Sequence, residues 1–502
     1  MYDHEQAGTT MFNHLTPFVL IGIIATYFLI LIAVSYFTGR NAGNSEFFLA
    51  GRRSPWLLVA FGMIGASLSG VTFISIPGVV GGGGHNQAFS YMQMVFGYLL
   101  GYVFIAQVLM PMYYRMGLTS IYEYLEERFG WQAYKTGAAY FLLSRIVGAS
   151  FRLYLVAIVL QQFIMAPLGV PFFITVAITI LLIWIYTFKG GINTIVWTDT
   201  LQTLCMITAV VLTIFGIGSA LETDIWGLFK MIRSSDYSQV FYFEGGWNDP
   251  NNFFKQFISG ALITIVMTGL DQDMMQKNLS CKSIGDAQKN MYTFSGILVI
   301  ANLLFLSLGA LLYIYAANIG IAIPEKTDQL YPTIALHHLS PVVGIFFVLG
   351  LIAAAYSSAD SALTSLTTSF CVDFLNFEKR EEEESEKERT RLYVHIGFSV
   401  LLFIAIIAFN AVNNDAVIKQ LFIAAGYTYG PLLGLFAFGL FTSRTINGKL
   451  IIPVCIAAPI ISYFINSYSA QLLWGFEFGF LIIALNGLIT FAGLYLISSN
   501  PE

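Results

Sequence analysis

The chain has 502 residues, of which 57% are hydrophobic and 11% are charged, and its formal net charge at pH 7 is −5. A soluble domain carries roughly 25% charged residues, so this composition excludes a soluble globular protein and indicates a polytopic membrane protein. The slightly acidic balance provides no basic surface for nucleic acid, and we expect no nucleic-acid partner.

Apolar runs of membrane-spanning length recur along the whole chain. The first run lacks the basic flank and the short apolar core of a cleaved signal, so it predicts an uncleaved first span. Thirteen spans are predicted, near 16–37, 55–80, 89–112, 137–165, 171–187, 195–220, 256–276, 290–319, 341–375, 391–412, 416–441, 449–467 and 474–498.

Lysine and arginine are distributed unevenly between alternate connections. With the N-terminus outside, seventeen fall in inner connections and four in outer ones, which favours this orientation and, with an odd number of spans, a cytoplasmic C-terminus. The inner set is Arg40, Arg52, Arg53, Arg115, Arg128, Lys135, Lys189, Lys277, Lys282, Lys289, Lys379, Arg380, Lys387, Arg389, Arg391, Arg444 and Lys449, and the outer set is Lys230, Arg233, Lys255 and Lys326.

Two spans, the second and the seventh, contain breaks at corresponding places. The second carries Gly65, Gly70 and Pro77, and the seventh carries Gly269 followed by Asp271. They start about 200 residues and five spans apart, as expected when each half of an inverted repeat opens on a discontinuous helix at the binding site. Close helix packing is the alternative reading for each span taken separately.

The stretch from Ala353 to Asp373 combines membrane length with many hydroxyls and one buried carboxylate. On a helix Ser357, Asp360 and Ser361 share one face, an arrangement of oxygens that suits a hard cation. Small residues that let helices pack closely would explain the serines alone. The acid favours an ion site, because an ionisable group inside hydrocarbon is costly.

Three further charged residues lie within or near apolar spans. Asp199 stands near the start of the sixth span, where it either caps a helix or serves a function. Arg145 and Arg152 are seven residues apart on the fourth span and too deep to reach the surface easily. Either they pair with acids structurally, or one of them binds an anionic group of a solute.

The sequence contains no pattern typical of an enzyme or of a structural metal site. The four cysteines lack CxxC spacing, and the six histidines form no HExxH motif. No GxSxG or P-loop motif occurs, so we expect a protein that is not an enzyme. The chain ends at Glu502, just after the last span, and a receptor with an appended signalling domain is therefore disfavoured.

Several motifs, in order, identify the chain as similar to the sodium:solute symporter family. They are EFFLAGRRSPW (46–56), SLSGVTFISIPG (67–78), TSIYEYLEERF (119–129), YTFKGGINTIVWTDTLQ (186–202), QDMMQK (272–277) and SSADSALTSLTTSFCVD (357–373). The resemblance implies an all-α polytopic membrane protein with about 13 transmembrane helices. It also implies a LeuT-type 5+5 inverted repeat with one leading and two trailing helices.

On this resemblance we predict five segments. They are an extracellular N-terminus with the leading helix (1–50), a first repeat (51–220), an extracellular loop (221–254), a second repeat with a charged cytoplasmic loop at 376–391 (255–442), and two C-terminal helices (443–502).

The resemblance implies one or two transported Na⁺ ions. The first sodium site would be formed by the backbone carbonyls of Gly65, Leu68 and Ala354 and the hydroxyls of Ser357 and Ser358. The second, implied by the subgroup of bacterial sodium/sialic acid symporters, would be formed by Asp199, Ser357, Asp360 and Ser361. Asp360 departs from the serine expected there, so a proton carried by Asp199 or Asp360 is an alternative to a second Na⁺.

The same subgroup implies a solute site at Ser67, Ser69, Thr72 and Gln93, to which Gln272 and Asp273 at the seventh-span break are added. The expected carboxylate-binding arginine aligns with Gly148 instead, but Arg145 and Arg152 lie on the same face and either could replace it.

We therefore expect a sodium-coupled symporter of the cell inner membrane that imports sialic acid or a related acidic sugar. It is expected to function as a monomer, with a small solute and the lipid bilayer as its partners. Neutral sugars, polyols and other carboxylates remain alternative solutes, and proton coupling remains an alternative mechanism.

Overall fold

The computed structural model describes residues 16–40, 43–84, 86–188, 191–412 and 417–500. The predicted extracellular N-terminus and Lys189 of the predicted inner set lie outside the described residues.

The first half of the chain is a succession of helices. In order they are α1 (Pro17–Gly39), α2 (Asn44–Leu49), α3 (Trp56–Ser67), α4 (Gly70–Val79), α5 (Tyr91–Phe104), α6 (Met110–Met116), α7 (Glu123–Phe129), α8 (Trp131–Leu160), α9 (Phe172–Thr187), α10 (Gly191–Ala220) and α11 (Ile225–Ser234). π-helical turns extend α5 at Ile105–Leu109 and α8 at Gln161–Met165.

The second half continues in the same way and ends with a short pair of strands. Its helices are α12 (Phe253–Thr264), α13 (Gln272–Leu279), α14 (Ile284–Ile319), α15 (Leu330–His337), α16 (Pro341–Ser369), α17 (Glu384–Val412), α18 (Val417–Phe441), α19 (Gly448–Ser467), α20 (Ser469–Leu472) and α21 (Ile482–Leu496). The strands β1 (Thr445–Ile446) and β2 (Ser498–Ser499) pair antiparallel, with Thr445 opposite Ser499.

The helix lengths agree with a polytopic membrane protein. Within the described residues, ten helices are long and apolar enough to cross a bilayer, and two bent pairs raise the number to twelve. The fifth predicted span corresponds to α9, whose 16 residues are fewer than the roughly 20 that a bilayer core needs. The exact count of thirteen therefore stays a prediction.

Both spans that were predicted to be broken are broken in the structure. α3 and α4 meet at 55°, and the helix from Phe253 to Gly269 meets α13 at 63°. At the first break Leu68 leaves the helical region and Ser69 is extended. At the second, Leu270 and Asp271 leave it. The breaks leave backbone amides and carbonyls without helical partners near the protein centre, which is tolerated where they line a cavity.

α16 occupies the centre of the helix bundle. In its most apolar 18-residue stretch 78% is buried inside the protein, against 28% in the corresponding stretch of the leading helix α1. α10 packs along α16, and α3, α4 and α8 also contact it. The hydroxyl-rich stretch of α16 is therefore surrounded by protein, and every residue from Gly350 to Ser369 is buried.

Candidate functional site

A cavity lies where the two broken helices face α5, α8 and α14. Its volume is about 90 Å³. The predicted solute-binding residues Ser67, Ser69 and Thr72, from the first break, line it. Arg145 and Arg152 line it from α8. Of the predicted solute site, the structure thus brings these five residues together.

The two arginines have different environments. Arg145 forms a short ion pair with Asp273 and lies 3.8 Å from the carboxylate of Asp271, and all three side chains are buried. The hydroxyl of Tyr429 on α18 donates a hydrogen bond to Asp271. Arg145 therefore neutralises acids at the second break, the structural role that the sequence left open.

Arg152, the other cation of this cavity, forms no close ion pair with any described acid. Among the described residues its guanidinium forms no ion pair, and its buried Nε has no hydrogen-bond partner. A buried donor without a partner costs free energy, more so when it is charged. Its position on the cavity wall makes it available to an anionic group.

The start of α4 adds a second feature suited to an anion. Ser69 is the N-cap residue, yet its side chain makes no capping hydrogen bond, and it lines the cavity. The first amides of a helix lack intrahelical partners and carry a partial positive charge. This helix end and Arg152 lie on the same cavity.

Two predicted solute-binding glutamines do not line the cavity. Gln93 donates to the carbonyls of Ser90 and Asn251 and accepts from the amide of Tyr242, so it connects α5 to the loop at 221–254. Gln272 donates to the carbonyl of Thr119 and accepts from the amide of Ile121. Because both side-chain amides are used in these contacts, the geometry does not support either residue as a solute ligand.

Several polar residues of the cavity were not predicted from the sequence. Tyr91, Tyr98 and Tyr102 line it from α5, and the hydroxyls of Tyr91 and Tyr98 are 2.8 Å apart. Their spacing of seven and four residues places them on one helical face, a signal that was present in the sequence. Asn302 on α14 and Thr268 beside the second break complete this side.

The predicted first sodium site lies where α3 approaches α16 most closely. A Cβ atom at Gly65 would stand 2.9 Å from the Ser357 hydroxyl and 2.5 Å from that of Thr203 on α10. The hydroxyls of Ser357 and Ser358 are buried and have no hydrogen-bond partner among the described residues. Unpartnered hydroxyls beside the end of a broken helix fit a hard cation that accepts carbonyl and hydroxyl ligands.

The residues of the predicted second sodium site also converge, and Asp199 is not a helix cap. It lies inside α10 and is fully buried. The hydroxyls of Ser357 and Ser361 lie beside its carboxylate. Asp360 accepts from the hydroxyl of Tyr186 at 2.8 Å and from the amide of Ser361 at 2.6 Å.

The structure places Lys277 in a different environment from the one predicted. It was placed in an inner connection, but it lies in α13 with 1% of its side chain exposed, and its Nζ is 2.6 Å from Asp199 Oδ2. A buried lysine is retained when it is paired, because an isolated buried charge is very costly. The predicted second sodium site therefore already contains one fixed cation.

Comparison with known proteins agrees with this geometry. The profile of the sodium:solute symporter family matches residues 47–450. The chain belongs to the sodium:solute symporter family. It is a multi-pass membrane symporter that couples transport of a solute to Na⁺.

Individual relatives of this symporter cover nearly its whole length. It is 26% identical to the sodium/sialic acid symporter NanT of Aliivibrio fischeri over 95% of this chain and 92% of the relative. It is 24% identical to the sodium/sialic acid symporter SiaT of Proteus mirabilis over 95% of each chain. A solved Na⁺-coupled sialic acid symporter in a substrate-bound outward-open state matches its fold with a TM-score of 0.81. That match has 21% identity and covers 95% of this chain and 97% of the other. The fold is therefore of the LeuT type predicted above.

Proposed function

We propose that this symporter imports sialic acid or a related acidic sugar together with Na⁺. The observation that carries the proposal is Arg152, a cavity-lining guanidinium that forms no ion pair among the described residues and whose buried Nε has no hydrogen-bond partner there. A guanidinium binds a carboxylate through two parallel hydrogen bonds, which are among the stronger ones that proteins form. The uncapped start of α4 favours the same charge.

The remaining cavity wall suits hydroxyl and amide groups. Tyr91, Tyr98, Thr268 and Asn302 also line the cavity, and they offer both donors and acceptors. Sialic acid carries a carboxylate, an amide and several hydroxyls. The two named bacterial relatives that transport sialic acid support this choice of solute.

A smaller carboxylate is the second candidate, favoured by the size of the cavity. Its volume of about 90 Å³ is well below the roughly 300 Å³ at which pockets begin to bury drug-sized ligands. Sialic acid would fit only after the helices around the cavity move apart, a motion that alternating access requires in any case.

The membrane orientation and the oligomeric state belong to the same proposal. The bias of lysine and arginine towards alternate connections supports an N-terminus outside and a cytoplasmic C-terminus, even when Lys277 is left out of the inner set. A functional monomer is proposed with it.

Uptake into proteoliposomes tests the proposal. Radiolabelled N-acetylneuraminate should accumulate when a Na⁺ gradient is imposed and should equilibrate without one. Arg152→Gln should raise KM by about 10- to 150-fold, because a hydrogen bond to a charged group contributes about 1.5 to 3 kcal/mol. Arg233→Gln, at an exposed arginine of the outer loop, is the matched control and should leave KM unchanged.

The methyl ester of N-acetylneuraminate isolates the role of the carboxylate. It should compete poorly with the acid in the unmodified symporter, and this discrimination should disappear in Arg152→Gln. Accumulation of lactate or pyruvate but not of N-acetylneuraminate would select the smaller solute. Uptake driven by a pH gradient in the absence of Na⁺ would contradict sodium coupling and favour proton transfer through Asp199 or Asp360.

A further inference from the structure

A buried polar cluster connects the leading helix to the predicted second sodium site. It consists of Tyr27 on α1, Gln202 on α10 and Tyr186 on α9, with exposed fractions of 4%, 0% and 0%. The side chain of Gln202 lies beside the hydroxyls of both tyrosines. The Tyr186 hydroxyl donates a hydrogen bond to Asp360 Oδ2 at 2.8 Å. The cluster therefore ends on a carboxylate that is predicted to bind Na⁺.

Three atoms of this cluster have no hydrogen-bond partner among the described residues. They are the Tyr27 hydroxyl and both polar atoms of the Gln202 amide, Oε1 and Nε2. Leaving buried polar groups unpartnered is costly, so hydrogen bonds between such neighbours are favoured. The cluster thus contains both the donors and the acceptors for a continuous chain of hydrogen bonds.

The available protons fix the direction of these hydrogen bonds. Tyr186 gives its only hydroxyl proton to Asp360, so towards Gln202 it can only accept. The amide nitrogen of Gln202 is a donor and is therefore the atom that pairs with Tyr186. The amide oxygen is then left to accept the hydroxyl proton of Tyr27. The result is one chain of donors that begins on α1 and ends at the carboxylate on α16.

The leading helix also contacts the surroundings of this chain directly. The hydroxyl of Ser35 on α1 donates to the backbone carbonyl of Tyr186 at 2.5 Å. The ring of Phe28 packs against that of Tyr356 on α16, with centroids 4.8 Å apart, and its centroid lies 6.4 Å from that of Tyr186. Hydrogen bonds and ring contacts therefore both connect α1 to the helices that carry Tyr186 and Asp360.

We propose that Tyr27 and Gln202, acting through Tyr186, position a ligand of the second Na⁺, so that the leading helix is part of the sodium machinery. The ligand is Asp360, and the inference rests on the sodium-coupled function proposed above. Hydrogen bonds to a ligating carboxylate orient it towards the ion, and loss of such a partner commonly lowers metal affinity by about 10- to 100-fold. Tyr27 and Gln202 are thus positioning residues for Na⁺.

Equilibrium binding of ²²Na⁺ to the purified symporter, without any solute, measures the effect on the ion itself. The unmodified protein should bind two Na⁺ per chain. Ser358→Ala removes a predicted ligand of the first site only, so it identifies the component of the binding curve that belongs to that site. Tyr27→Phe removes one hydroxyl, keeps the ring, and should weaken the other component by about 2- to 12-fold. Tyr36→Phe, at an exposed tyrosine of α1, is the matched control and should leave both components unchanged.

A double-mutant cycle separates a hydrogen-bond chain from simple packing of α1. Tyr186→Phe removes the donor to Asp360 and should weaken the second component by about 10- to 100-fold. In that background Tyr27→Phe should have no further effect, because the chain no longer reaches the carboxylate. Gln202→Met should match Tyr27→Phe alone and should be equally without effect in the Tyr186→Phe background.

Three results would overturn the inference. One is unchanged Na⁺ binding in a folded Tyr27→Phe variant, and another is additive losses from Tyr27→Phe and Tyr186→Phe. The third is a single Na⁺ bound to the unmodified protein, a measurement that holds even when the variants fail to fold. Because no solute is present, failure of N-acetylneuraminate to accumulate would contradict the proposed solute and leave these results unaffected.

Discussion

Gly65→Ala tests whether α3 approaches α10 and α16 as closely as the first sodium site requires. A Cβ atom at this position would lie 2.5 Å from Thr203 Oγ1, 2.9 Å from Ser357 Oγ and 3.1 Å from the carbonyl oxygen of Asp199. To restore an ordinary contact of about 3.4 Å with the Asp199 carbonyl oxygen, α3 and α10 would have to separate by about 0.3 Å, and the Thr203 and Ser357 hydroxyls would have to move as well. Overpacking of this kind costs about 1 to 3 kcal/mol.

The same displacement moves the Gly65 carbonyl away from the serine hydroxyls of α16. Ion ligands of a hard cation stand at about 2.3 to 2.6 Å, so a shift of several tenths of an ångström removes one from the coordination shell. We expect the Na⁺ concentration for half-maximal uptake to rise about tenfold or more. The apparent melting temperature should fall by a few degrees in the absence of Na⁺.

Gly296→Ala is the matched control on α14. Nothing lies within 4 Å of a Cβ atom at Gly296, so the same change should stabilise its helix by about 0.5 to 1 kcal/mol and leave Na⁺ dependence unchanged. The double variant Gly65→Ala with Thr203→Ala removes the nearest clash and should recover part of the loss. Unchanged melting temperature and Na⁺ dependence in Gly65→Ala would refute the close approach of these helices.

Three further predictions concern neighbouring contacts. Ser357→Ala combined with Ser358→Ala removes two predicted sodium ligands. This double variant should lose both Na⁺-dependent uptake and thermal stabilisation by Na⁺, and normal uptake would contradict the first sodium site. Gln93→Ala should lower thermal stability, because three hydrogen bonds are lost, two of them to the loop at 221–254, while KM for the solute stays constant. A large rise in KM would restore Gln93 to the solute site. Arg145→Met leaves the buried acids at the second break without their cation and should lower the free energy of unfolding by about 3 to 5 kcal/mol. Arg145→Lys keeps the positive charge and should retain most of that stability. Equal stability of the two variants would show that the ion pair with Asp273 contributes little.

Sequence patterns were sufficient to predict the membrane spans and the two broken helices, because both features depend on residues that are close together in the chain. A bilayer core fixes span length, and glycine, proline and small polar residues within an apolar run mark a broken helix. Both spans predicted to be broken are broken, at Leu68 between Gly65 and Gly70 and at Leu270 after Gly269. Helical spacing alone placed Ser357, Asp360 and Ser361 on one face.

Other parts of the site depend on contacts between distant segments, which spacing does not reveal. Lys277 follows an apolar run, so counting loop charges placed it outside the membrane core. α13 has only eight residues after the break, and its last turn is still inside the protein, where Lys277 meets Asp199. The sequence likewise does not show which arginine is paired, because the pairing depends on the contact of Arg145 with Asp271 and Asp273 on a distant helix.

The shared use of α3 and α4 offers a physical basis for coupling between sodium and solute. In the proposed mechanism α3 contributes carbonyls to the sodium site through Gly65 and Leu68, and α4 presents Ser69 to the solute cavity only one residue later. A ligand shifts an equilibrium only by its difference in affinity for the two states. Sodium bound between α3 and α16 would favour the state in which the start of α4 faces Arg152, and a carboxylate bound there would favour the same state. This linkage is reciprocal. Saturating solute should therefore lower the Kd for Na⁺ by the same factor as saturating Na⁺ lowers the Kd for the solute.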